Sequence, residues 1–120
     1  MHIRQVTTDE IQASSSQSAS GRSTKAVNLG ASKSAEIWIL VTAGTTPNFD
    51  FDLDTSIDGV NDGSSTEWAS QGTISVTSAS GAAFIIAISR TDDALGNRLR
   101  VRWTRNAGSL TFSIKAVNHE

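Results

Sequence analysis

Residues 49 to 54 read Phe-Asp-Phe-Asp-Leu-Asp, an unbroken alternation of apolar and acidic side chains. Successive side chains of a strand point to opposite faces, so a strand here sets Phe49, Phe51 and Leu53 against Asp50, Asp52 and Asp54. Asp is among the poorest strand formers, so packing by the three apolar side chains must override its preference. The segment therefore commits the chain to a sheet with one buried and one wetted face. It also lines up three carboxylates on a surface.

Period-two patterning continues from Thr24 onward, broken by turn residues at short intervals. Strands are expected at Ala26–Leu29, at Ala35–Ala43 ended by Gly44 and Pro47, and from Phe49 to the Asp58-Gly59 turn. Further strands are expected at Glu67–Ala69, Thr73–Thr77 and Ala82–Ser89. Arg98–Thr104 and Leu110–Val117 read as a hairpin joined by Arg105-Asn106-Ala107-Gly108. No helix is expected beyond a turn around Asp92–Leu95. About eight short strands at this spacing predict an all-β, antiparallel β-sandwich, jelly-roll or immunoglobulin-like.

At 120 residues the chain forms one domain with a single core. Residues 13–24 are dominated by Ser and offer little to bury, so residues 1–23 are expected as an N-terminal Ser-rich arm and 24–120 as the sandwich domain. The start at Met1–Gln5 lacks the apolar run of a signal peptide, and Ile37–Val41 is far too short for a membrane span.

The final strands repeat the opening pattern with the opposite charge. Leu99, Val101 and Trp103 share one face, and Arg98, Arg100 and Arg102 share the other. Neighbouring strands would pair the acidic and basic strips within the chain, at about 0.2–1 kcal/mol per pair. Strips lying apart would be complementary surfaces suited to contacts between subunits. Two other strands are apolar on both faces: Trp38 and Leu40 oppose Ile37, Ile39 and Val41, and Ile85 opposes Phe84 and Ile86. The second face needs a cover, either the chain's own N-terminal segment or an oligomer interface containing Trp38 and Ile85.

Catalysis finds little support in the residues. The two histidines, His2 and His119, sit at the ends, and there is no Cys or Tyr, so Ser and Thr lack an evident base. Asp50, Asp52 and Asp54 share one strand face instead of flanking a cleft. Counting a calcium loop from Asp50 puts Thr55 where Gly is needed and Asn61 where Glu is needed, so that match fails. A loop site of Asp58, Asn61 and Asp62 is outweighed by a solvated Asp-Gly turn. Phosphate-loop and dinucleotide glycine patterns are missing, and no cofactor is expected. With 10 basic and 12 acidic residues, the net charge of −2 disfavours nucleic acid as a partner.

The run Trp38–Pro47, the alternating Phe49 strand, Ser56–Gly59, Glu67-Trp68, and the Arg98–Thr104 and Leu110–Ile114 strands, in that order, resemble small structural β-sandwich proteins of tailed bacteriophages. The resemblance covers roughly residues 25–117. It implies a virion component without catalytic residues, most readily a capsid decoration (cement) protein. Its partners would be the major capsid protein or other virion subunits, and it would be a homo-oligomer, with a trimer favoured. Its place would be the capsid surface, after assembly in the host cytoplasm, with no membrane partner. On this reading Trp38, Asp50, Asp52, Asp54, Ile85, Arg98, Arg100 and Arg102 are the candidate intersubunit contacts. The alternatives are a tail or head–tail junction subunit, or a glycan-binding adsorption module using Trp68 beside the Asp58–Ser65 loop.

Overall fold

The computed structural model describes residues 6–28, 34–56, 68–78, 83–89 and 98–119. Among these residues there is no helix, and seven strands join in one antiparallel hydrogen-bonded sheet. They are β1 (Val6–Gln17), β2 (Gly21–Arg22), β3 (Val27–Asn28), β4 (Ser34–Ser56), β5 (Trp68–Val76), β6 (Ala83–Ser89) and β7 (Arg98–His119). The all-β, antiparallel expectation holds. β4 and β7 are the spine, paired along their length from Ser34↔His119 to Ser56↔Arg98. At one end β6 adds to β4 and β1 adds to β7. At the other end β5 adds to β4, while β2 and β3 add to β7.

Continuity of the two long strands corrects the sequence reading. Ala35–Ala43 and the Phe49 strand are a single strand of 23 residues, not two separated by Gly44 and Pro47. The register passes over Thr46 and Pro47, going from Thr45↔Ser109 to Asn48↔Ala107, so the missing amide of proline falls in a bulge. Arg98–Thr104 and Leu110–Val117 likewise form one strand of 22 residues and not a hairpin. Arg105 and Ala107 stay paired with β4 instead of turning back. Gly108, at φ 69°, bends the strand where β4 bends, and a Cβ there would run into the carbonyl oxygens of Thr45 and Thr46. The two short strands expected around Trp68 and Ile74 also merge, as β5, with a bulge opposite Leu53 and Asp54. The Asp58–Ser65 loop and the Asp92–Leu95 turn lie outside the described residues.

One face of the spine is the core. Ile37, Ile39, Val41, Phe49, Phe51 and Leu53 of β4 are buried against Leu99, Val101, Trp103, Leu110, Phe112 and Ile114 of β7. The bend folds the ends of the sheet toward each other. Phe112, from the β1 end, meets Phe51 edge-on at 4.9 Å and Trp103 at 5.0 Å, both from the β2 end. Each such ring pair contributes about 0.5–1.5 kcal/mol beyond its buried area.

The Ser-rich segment, expected as an arm outside the domain, is an edge of the domain's own sheet from Val6 onward. β1 pairs with β7 from Val6↔His119 to Gln17↔Leu110, and Ile11 is buried in the core. Composition misled because Ser was counted only for what it can bury. Its hydroxyls and backbone here complete β7: Ser23 N donates to Val101 O at 2.7 Å, and Ser23 Oγ accepts from Val101 N at 3.2 Å. Ser20 Oγ accepts from Arg105 N at 2.9 Å.

Candidate functional site

Pairing β4 with β7 decides how the charged strips meet. The register places Asp52 opposite Arg102, Asp54 opposite Arg100 and Ser56 opposite Arg98, on the face away from the core. The acidic and basic strips are thus cross-strand neighbours within one chain. Asp54 is the centre: its Oδ2 accepts from Arg100 Nε and from Arg102 Nε, both at 3.2 Å. Asp52 Oδ2 lies 3.2 Å from Arg102 Nη2, and its Oδ1 accepts from the Thr73 hydroxyl. The hydrogen bond to Asp54, with both nearby carboxylates, raises the Arg102 pKa against the opposing effect of burial.

Asp50 sits one step further along and pairs with no arginine among the described residues. It accepts from Ser75 Oγ at 2.7 Å and from Asn106 Nδ2 at 2.9 Å, and these bonds lower its pKa. Arg98 makes no ion pair among the described residues. All three aspartates are therefore occupied by donors, an arrangement that stiffens a surface.

The ladder is graded in burial. Arg102 keeps 44% of its side chain exposed, so its pairs belong with surface ion pairs of about 0–1 kcal/mol. Asp54 and Arg100 are each only 3% exposed. The Arg100 guanidinium also lies over the Trp68 ring, 4.3 Å from its centroid. Trp68 is itself 9% exposed, so it offers no open platform for a sugar ring.

The other candidate residues lie apart from this ladder. Trp38 is half-buried near the far end of β4, between Lys115 and Ile85 in register, and its indole Nε1 is buried without a hydrogen-bond partner among the described residues. The side chain of Ile85 is outside the described residues, as are His2 and the Asp58, Asn61, Asp62 loop. His119 Nε2 lies 3.6 Å from Glu36 Oε1. No three metal-ligating side chains converge among the described residues. Sequence reasoning missed Arg22, which β2 places directly opposite Arg102. The only sequence signal was a lone basic residue in a Ser-rich run.

No protein-family model matches the chain, and no curated protein matches its sequence. A solved structure does share its fold. The SPBc2 prophage-derived protein YomS aligns over 100% of this chain and 97% of that one, with a TM-score of 0.54 and 8% sequence identity. Weaker likenesses extend to infectious bursal disease virus. Its VP2 subviral particle gives a TM-score of 0.49 at 16% identity, over 97% of this chain and 32% of that one. The structure of its Gx strain gives 0.47 at 12% identity, over 98% and 33%. The chain spans about a third of those two viral chains.

Proposed function

We propose that this chain is a structural protein of a phage virion, a β-sandwich that decorates the capsid and strengthens it through repeated contacts between subunits. The observation that carries the reading is the fold correspondence with a prophage-derived protein along nearly the full length of both chains. The bent spine supports the sandwich reading: Phe112, from the half bearing β1 and β6, meets Phe51 and Trp103, from the half bearing β2, β3 and β5. The ordered phage-like motifs of the sequence agree with it. Many weak contacts multiplied over a shell raise its rupture threshold without a single tight site.

Within this reading Asp54 and Arg100 are buried inside the subunit, which leaves the exposed Arg102, with the half-buried Asp50, Asp52, Arg98 and Trp38, as the contacts offered to neighbours. Those neighbours are the major capsid protein and further copies of the chain, as a trimer. Cryo-electron microscopy of particles made with and without the chain tests the proposal. Regular capsid-surface density that vanishes without the chain, together with particle rupture at lower temperature, is the expected result. Density confined to the tail, or particles lacking the chain altogether, overturns the decoration role.

A further inference from the structure

A cleft of about 260 Å³ opens beside the charged ladder, where the Ser-rich edge crosses β7. Three arginines are among its lining residues: Arg22 from β2, and Arg100 and Arg102 from β7. Their counter-charges are incomplete. Asp54 and Asp52 are the only carboxylates bonded to the set among the described residues, which leaves one positive charge over. Arg22 is exposed, makes no ion pair among the described residues, and stands directly opposite Arg102. Like charges in that position repel across a strand pair. Arg100 is 3% exposed, and its Nη1 is buried with no hydrogen-bond partner among the described residues, an expensive omission for a charged donor. Ser20 adds a hydroxyl whose oxygen is already used as an acceptor, leaving its proton to donate.

We infer that this cleft binds a carboxylate, contributed by an Asp or Glu side chain of a neighbouring protein subunit. A single surplus positive charge matches a monoanion, and a planar carboxylate fits the forked donors of guanidinium. The volume lies below that of pockets for drug-sized ligands, about 300–1,000 Å³, and suits one side chain. A sugar acid fits less well, because the neighbouring indoles of Trp103 and Trp68 are both buried and leave no ring to stack on. The inference concerns the cleft's chemistry and holds whether or not the chain resides in a virion.

The purified chain, with ¹⁵N-labelled arginines, is titrated with N-acetylglutamate amide while the Nε–Hε resonances are followed. Chloride at matched ionic strength, glucuronate and inorganic phosphate serve as comparison arms. Saturable shifts at Arg22, Arg100 and Arg102 with N-acetylglutamate amide, absent with chloride, are expected. Arg22→Ala should weaken binding about tenfold, the loss of one charge-assisted contact, and Arg22→Lys should recover only part of it. Both variants should keep the wild-type unfolding midpoint within a few degrees, since Arg22 is exposed. Linear or chloride-like shifts, indifference to Arg22→Ala, or tighter binding of phosphate or glucuronate overturns the assignment. The measurement uses no particles, so its failure is separate from failure of the virion reading.

Discussion

Replacing Asp54 by Ala should be the most damaging single change on the charged face. Asp54 Oδ2 holds both Arg100 Nε and Arg102 Nε at 3.2 Å. Without it Arg102 keeps Asp52 and half its solvent, so its share of the loss stays near 0–1 kcal/mol. Arg100 has no such recourse. It is 3% exposed, its Nη1 already lacks a hydrogen-bond partner among the described residues, and the substitution orphans Nε as well. Removing one member of a buried pair costs about 3–5 kcal/mol, against about 5–15 kcal/mol for a whole domain. For a chain between the small and large size classes, that lowers the melting temperature by roughly 10–25 °C. Urea unfolding followed by tryptophan fluorescence reads the change. The double variant Asp54→Leu, Arg100→Met should regain most of the stability, because an apolar pair of similar volume replaces a buried ion pair at little cost. A single variant that loses less than about 1 kcal/mol, or a double variant worse than the single, refutes the buried-charge argument.

Gly108→Ala forces a side chain into the left-handed region and against two backbone carbonyls, so a loss of at least about 2 kcal/mol in urea unfolding is expected, while Gly72→Ala, with open space around it, should stay within about 1 kcal/mol. Deleting residues 1–23 removes β1, β2 and the buried Ile11 and should lower stability by at least about 3 kcal/mol in the same assay; a deletion variant as stable as the full chain would show the segment to be a detachable arm. Asp50 has a folded pKa below its unfolded value, so its contribution is present above about pH 4 and disappears as pH falls through the folded value. Melting temperatures of the wild type and Asp50→Asn, compared from about pH 6 downward, should therefore differ near neutrality and converge in acid; a gap that widens in acid contradicts the sign.

The alternation at Phe49–Asp54 and its mirror at Arg98–Trp103 were legible because period two ties each side chain to a face, but the polar face is wetted only in part: Asp54 and Arg100, expected in water, are buried beside Trp68. Strand ends were less legible. Pro47 and Gly108 are turn residues by composition, yet two bends at the same level of paired strands can share a bulge, and pairing then continues through both. The Ser-rich edge was opaque for another reason. A strand that contributes backbone bonds and one buried Ile leaves no apolar rhythm, and the role of Ser23 at Val101 exists only across 78 residues of sequence. The cleft was hidden for the same cause: Arg22 meets Arg102 only through β2.

The spine strand β7 comes later in the chain than every strand it binds. As the chain leaves the ribosome, β4 can already pair with β5 and then β6, which are close in sequence, but β1, β2 and β3 must wait for Arg98–His119 to arrive. Closure of such distant pairs is slow because loop entropy is lost before contacts repay it. During synthesis the Ser-rich segment therefore remains unpaired with β7. Its scarcity of apolar residues then becomes an asset, because a mostly polar waiting strand is a poor template for aggregation.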